Sequence, residues 1–470
     1  MRPQDMSPEE FQKHGYEIVD WIAGYLSHTR DYPVAPDMQP GDLIDKLPAS
    51  APAAGEPMEA ILADFEKLIV PALNHWNHPR FHAYFSVSAS AAGILGEMLA
   101  AAVNVNGMLW KSCPAAVELE EVTLSWLRQW MGLPPEFFGI IHDTASSSTF
   151  HALGAARVMA DPDLRRRGSN PGFTVYCSEH AHSSIEKGAL ALGFGQENVR
   201  KVGVDGAFRM RPDRLAAMIA ADRGSGLRPC CVVSTVGTTS VTSVDPVAEV
   251  QAIAEREGMW HHIDAAYGGV AAMLPENRWM LAGAERADSL VVNPHKWLFT
   301  PIDISAFYCR RPDTLREAYA LVPPYLASQG DPRAVNLMDY RVPLGSRFRA
   351  LKLWFVMRSF GYERVCAIIR DHILWAQELA VAIEADARFE VVAPAPMSLV
   401  CFRYKGTDEE NQRLIELVNR SGQAFLAGNR LNGQWMVRFA IGNLGTTRED
   451  VFETWGKIQA LAGAGLCDPG

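Results

Sequence analysis

The chain carries no Cys-x-x-Cys pair. Its eight cysteines stand at 113, 177, 230, 231, 309, 366, 401 and 467, most of them among apolar neighbours. That pattern excludes a disulfide framework or a structural zinc site and points to reduced core thiols in a cytoplasmic protein. No apolar run reaches the length of a membrane span, and the opening MRPQDMSPEE lacks the apolar core of a signal peptide. Basic residues are neither abundant nor clustered. Lys and Arg number 44 against 54 Asp and Glu, a net charge of -10, which argues against a nucleic-acid partner. The short run LRRR at 164–167 lies in a Gly/Pro/Asp-rich stretch and reads as a solvated loop. There is no G-x-x-x-x-G-K-[ST], and no G-x-G-x-x-G after a strand, so a nucleoside triphosphate or dinucleotide is not expected. His75, His78 and His82 are interrupted by Pro79 and read as loop or core histidines, not metal ligands.

What is present is a globular composition, 48% hydrophobic and 21% charged over 470 residues, with ample material for a core. Ser7-Pro8-Glu9-Glu10 announces a helix: a cap, a proline at the first turn and a capping-box glutamate. Phe11, Ile18, Ile22, Tyr25 and Leu26 then recur at helical spacing. A Pro-rich segment, 33–57, follows. This apolar stripe either meets a second subunit or folds back on its own chain.

From about residue 90 helical stretches alternate with short apolar runs. Ala116 to Met131, Asp213–Ala221 and Asp245–Glu257 read as helices. Phe173–Cys177, Cys230–Val236, Trp260–Ile263, Ser289–Val292 and Ser305–Cys309 read as strands. Strands apolar on both faces and separated by helices predict an α/β domain with a mainly parallel sheet, whose ligands bind at the strands' carboxyl ends. After about 360 a helix near 364–386 and strands near 389–404 and 435–441 predict a smaller α+β domain.

Four predicted strands end in chemistry. They run into Ser178-Glu179-His180-Ala181-His182, Gly237-Thr238-Thr239, Asp264-Ala265-Ala266-Tyr267 and Asn293-Pro294-His295-Lys296. A fifth element, Thr144-Ala145-Ser146-Ser147-Ser148-Thr149, precedes a helix whose N-terminus suits an anion such as a small phosphate. A desolvated lysine can condense with a carbonyl, a carboxylate can keep a pyridine nitrogen protonated, and a helix N-terminus can hold a phosphate. Those are the three anchors of pyridoxal phosphate. Each has a plainer reading, as surface lysine, turn former and helix cap. It is their joint occurrence at strand ends that points to the cofactor.

HIDAAYGG at 262–269 and NPHKW at 293–297 resemble the group II pyridoxal-phosphate decarboxylases, and within them the aromatic-L-amino-acid decarboxylases. So do FHAYF at 81–85, CPAAVELEEVTLSWL at 113–127, AHSSIEKG at 181–188, VGTTS at 236–240 and PLGSRFRALKLWFVMR at 343–358. The resemblance implies a fold-type I homodimer with its site at the subunit interface. Its parts would be an N-terminal helical dimerisation segment at 1–85, a large cofactor domain with a seven-stranded, mainly parallel sheet at 86–360, and a small C-terminal α+β domain at 361–470. By the same resemblance Lys296 would bond the cofactor covalently, Asp264 would pair with its ring nitrogen and His182 would stack on its face. Ala145, Ser146, Asn293 and His295 would bind the phosphate, Thr239 would sit beside the cofactor and Ala266 would pack on the ring.

The segment LVPPYLASQGDPRAVN at 321–336 matches the family's mobile catalytic loop. Its Tyr325 would return a proton to the substrate α-carbon, with His182. Relatives with phenylalanine at that position tend to be oxidative aldehyde synthases. Trp76, Tyr84, Phe85, Val87, Asn106 and Met108, with Trp110 nearby, would form an aromatic substrate pocket. Ser86-Val87 replaces a more usual Pro-Thr or Pro-Ser, and Asn106 and Met108 replace aliphatic and aromatic residues. The missing hydroxyl at Val87 favours tryptophan, phenylalanine or tyrosine over DOPA, and Gly345, where some relatives discriminate indole from phenol, leaves room for the larger ring and favours tryptophan. The expected reaction is decarboxylation to an aryl-ethylamine and CO2. The alternatives are an aldehyde synthase on the same scaffold or a non-catalytic dimer that kept the fold.

Overall fold

A computed structural model describes residues 6–168, 172–321 and 333–464. The first helix, Pro8–Ser27, starts as expected: Ser7 and Glu10 close a reciprocal capping box, and Pro8 opens the first turn. Its apolar stripe divides. Trp21 packs edge-on against Phe65 at 5.0 Å and Tyr25 lies 5.6 Å from His75, so one side folds back on its own chain. Phe11, Tyr16, Ile18 and Val19 stay exposed.

The main sheet has seven strands: β1 (Phe138–His142), β2 (Phe173–Ser178), β3 (Val199–Val202), β4 (Arg228–Thr235), β5 (Trp260–Asp264), β6 (Ser289–Val292) and β7 (Ser305–Cys309). Their order is β1-β7-β6-β5-β4-β2-β3. Neighbours from β6 through to β3 pair in parallel, while β7 runs antiparallel to both β6 and β1. Strands β2, β5, β6 and β7 are buried throughout, as strands between helical layers are, and the polar His261 and His262 of β5 are hydrogen-bonded there. Two strands were not anticipated. β1 is short, contains Gly139 and follows two prolines. β3 is an edge strand carrying Arg200 and Lys201. The LRRR segment forms a single helical turn, Leu164–Arg167, in place of the expected loop. Leu164 anchors it in the core while the three arginines stay exposed.

The second sheet is antiparallel, ordered β10-β11-β9-β8, with β8 Phe389–Val391, β9 Leu399–Tyr404, β10 Ala427–Leu431 and β11 Gln434–Ala440. The helix expected near 364–386 belongs to a longer element, Arg349–Glu384, interrupted at Gly361, where φ is 69°. His75, His78 and His82 are buried and hydrogen-bonded: to the Tyr25 hydroxyl, from the Arg80 N–H, and to the Ala440 carbonyl.

One carboxylate ties the chain's two ends together. Asp450, third in the final helix Arg448–Gly463 and half of its capping box, accepts from both Arg30 and Arg80. Burial alone would raise its pKa. The Arg30 guanidinium and the Thr447 N–H outweigh burial and bring it down to about 2. A depressed folded-state pKa contributes stability that is complete above the unfolded value and lost as pH falls through the folded one. Asp450→Asn is therefore expected to lower stability by about 1 kcal/mol at neutral pH, given partial solvent screening, and to flatten the acid-unfolding profile between about pH 4 and 2. Chemical denaturation across that range checks it. An unchanged midpoint and acid slope would remove the pair from the stability account.

Candidate active site

The carboxyl ends of β2, β4, β5 and β6 open onto one cavity. Its walls include Ala145, Ser146, His182, Thr239, Asp264, Ala266, Asn293, His295 and Lys296, all nine residues expected around the cofactor. Thr144, Gly237 and Tyr267, which belong to the expected strand-end and helix-start segments but were given no role, line it too, as do Ser184 and Thr235, which were not anticipated.

Lys296 is placed by its neighbours. β6 delivers Asn293, whose N–H donates to Ala266 O at 3.0 Å, and Pro294 starts a four-residue helical turn that ends at Trp297. Trp297 is fully buried and stacks on Tyr267 at 4.7 Å; Tyr267 in turn stacks on Phe85 at 3.8 Å. The Trp297 indole N–H donates to His372 Nδ1 at 3.0 Å. With the following residue locked in this column, the Lys296 amine lies 5.4 Å from the Phe85 ring centre. Burial pushes its pKa below the ordinary lysine value, Asp264 opposes that shift, and Arg438 adds to it. An amine so placed is more readily neutral and nucleophilic than a surface lysine.

Asp264 ends β5, buried, and accepts from the Ala266 N–H at 3.1 Å. Close packing behind it depends on glycine. A Cβ at Gly268 would lie 2.4 Å from the Val236 carbonyl oxygen. Arg438 is the functional candidate that sequence reasoning missed. It rises from β11 and is buried over the Phe85 ring at 5.4 Å. It donates to the carbonyls of Thr239 and Ser240 at 2.7 and 3.2 Å. The available signal was a lone cation inside the apolar run WMVRFA.

Hydrogen-bond direction assigns two imidazole tautomers. The Ser184 N–H donates to His182 Nδ1 at 3.2 Å, so neutral His182 carries its proton on Nε2. His182 is exposed at the cavity mouth; its partial burial lowers the pKa, with Asp264 opposing. The Ile304 N–H donates to His295 Nδ1 at 3.0 Å, which again leaves Nε2–H as a donor. Burial holds His295 near a pKa of about 4, so it is neutral at physiological pH.

This donor set suits an anionic, carbonyl-bearing heterocycle. The helix Ala145–Ala160 has no side-chain cap, and its first-turn N–H groups are available to a phosphate. The Asn293 side-chain oxygen, Oδ1, accepts from the Ser305 hydroxyl, leaving its NH2 group for the cavity. The Thr235 hydroxyl is buried with no hydrogen-bond partner among the described residues. A carboxylate and a lysine face the interior between these donors. Pyridoxal phosphate needs all of these elements, and the residues present fit it.

Of the expected substrate residues, Trp76 and Tyr84 stack at 5.7 Å, and Phe85 underlies Lys296. Val87 is half-buried nearby in sequence. None of the six is among the residues lining the cavity: Phe85 reaches it only through its contacts with Tyr267 and Lys296, and Asn106 and Met108 lie furthest from that column in their contacts. Asn106 accepts from the Ser346 N–H at 2.9 Å and Met108 O accepts from the Met338 N–H at 2.9 Å, on a separate surface beside Gly345. Tyr325 lies outside the described residues.

Fold and site together define an α/β enzyme of the pyridoxal-phosphate class. Residues 40–405 match the pyridoxal-dependent decarboxylase conserved domain, and the chain belongs to that family of carboxy-lyases. It is 39% identical to the aromatic-L-amino-acid decarboxylase of Sus scrofa over 97% of both chains. It is 37% identical to a phenylacetaldehyde synthase of a Rosa hybrid cultivar, over 98% of this chain and 95% of that one. The crystal structure of Oryza sativa TDC with PLP and tryptamine superposes with a TM-score of 0.94 at 34% identity, covering 98% of this chain and 99% of that one.

Proposed function

We propose that this enzyme decarboxylates an aromatic L-amino acid, with tryptophan, phenylalanine or tyrosine preferred over DOPA, to the aryl-ethylamine and CO2. The observation that carries the reading is the convergence of Lys296, Asp264, His182 and the phosphate donors on one cavity. Pyridoxal phosphate, when bound, supplies an electron-accepting ring for the electron pair of the broken Cα–carboxylate bond. Lys296 would hold the cofactor covalently through its amine. Asp264 keeps a proton on the ring nitrogen. His182, with its proton on Nε2, would stack on the ring face and assist proton return. The uncapped helix start, Asn293 and His295 orient the phosphate, while Ala266 and Thr239 flank the ring. Tyr325 delivers the proton to the α-carbon after CO2 has left.

Trp76, Tyr84 and Phe85 support an aromatic side chain on the substrate through stacking and desolvation. Val87 offers no hydroxyl to a catechol. The exposed apolar residues of the first helix support a homodimer. The division at 85 and 360 is retained in this reading, with the break at Gly361 supporting the second boundary. A cytoplasmic setting is supported by seven described cysteines, all free.

Similarity to a phenylacetaldehyde synthase favours oxidative deamination as the second reading. Tyr325 separates the two. Tyr325→Phe is expected to shift products from amine toward aldehyde, ammonia and peroxide, and chromatography with a peroxide assay reads the ratio. An unchanged ratio takes Tyr325 out of proton return. Lys296→Ala is expected to lose the yellow absorbance of bound cofactor and at least about 10³-fold in turnover. A yellow, active variant would contradict the assignment. Asp264→Ala is expected to bind cofactor yet lose about 10²-fold or more in kcat; near-normal turnover argues against its ring-nitrogen role.

A further inference from the structure

We propose that Ser305, with Ser148 and His142 behind it, is a positioning residue that decides which end of the Asn293 amide faces the cofactor phosphate. The inference rests on the proposed phosphate role of Asn293. Ser305 opens β7, the strand that runs against its neighbours. Its Oγ donates to Asn293 Oδ1 at 2.7 Å, and both residues are buried. An asparagine amide has one accepting and one donating end. With the oxygen held from behind, the NH2 end is left for the cavity that Asn293 lines. A reversed amide would turn an oxygen lone pair toward an anion.

The serine's own orientation is set in turn. Ser305 Oγ has one proton, given to Asn293, so toward Ser148 Oγ, 3.2 Å away, it accepts. Ser148 then receives a proton from His142 Nδ1 at 3.0 Å. His142 is fully enclosed, and its Nε2 has no hydrogen-bond partner among the described residues. A neutral ring with the proton on Nδ1 leaves only a bare acceptor at Nε2. The other tautomer would bury an unpaired N–H, which folded proteins rarely tolerate. The chain is therefore one-directional: His142 to Ser148 to Ser305 to Asn293. The preceding residue, Ile304, aims His295 in the same way, so the entry of β7 points two donors at one place.

The test is a pyridoxal-phosphate titration of the full-length apoprotein, read by absorbance, with the 31P chemical shift of the bound cofactor as a second readout. Ser305→Ala and Asn293→Ala are each expected to raise Kd about tenfold or more, as for loss of one charge-assisted hydrogen bond. The double variant should bind no worse than Asn293→Ala alone, because without the amide the serine has nothing to aim. The visible spectrum at saturation should stay that of the wild type, and the phosphorus shift should move equally in all three. Should Ser305→Ala fail to fold, Ser305→Cys, a weaker donor, carries the same comparison with a smaller loss. Wild-type affinity in the serine variant beside a weakened Asn293→Ala, or losses that multiply in the double variant, would overturn the proposal alone. Wild-type affinity in Asn293→Ala would overturn the phosphate role and the proposal together.

Discussion

The site depends on an amine and a carboxylate kept out of water at the edge of one sheet. A lysine at a strand end is ordinarily a solvent-facing group. Here the column Phe85–Tyr267–Trp297 flanks a half-buried Lys296, and burial lowers its proton affinity. Asp264 and Arg438 act on it with opposite sign. Burial is the larger influence, and the two charges modulate it, since charges in a poorly solvated cavity are weakly screened.

The remaining architecture serves that pair. Parallel strands bring their carboxyl ends to one side, which is why residues from 182, 239, 264 and 296 share a cavity despite their separation in the chain. The uncapped start of Ala145–Ala160 adds unpaired N–H groups. β7 breaks the parallel pattern, and its entry, Ile304–Ser305, hydrogen-bonds the side chains of His295 and Asn293. Polar groups of the cavity are thus oriented by backbone and hydroxyl groups that are themselves buried. Such support keeps donors in place without a change of geometry during reaction.

Much of this was legible in the sequence because the informative residues sit immediately after apolar strands. Asn293-Pro294-His295-Lys296 and Asp264-Ala265-Ala266 read as strand ends from the sequence alone. The edge strand β3 was not legible, because Arg200 and Lys201 mask its period. β1 was obscured by Gly139, where even a methyl group would lie 2.8 Å from Leu124. Arg438 was missed because it comes from the other sheet, far along the chain. His142, Ser148 and Ser305 were invisible for another reason: small polar residues in apolar surroundings look alike until their hydrogen bonds are seen. Asn106 and Met108 show the converse. Their sequence neighbourhood suggested a pocket, and the single chain places them on another surface.

The most direct measurement is borohydride reduction of the cofactor-loaded protein, followed by proteolysis and peptide mass mapping. A phosphopyridoxyl mass on the peptide containing Lys296, and on no other lysine, is the predicted result. Label on a different lysine, or none on a protein that still releases CO2, would contradict the account at its root.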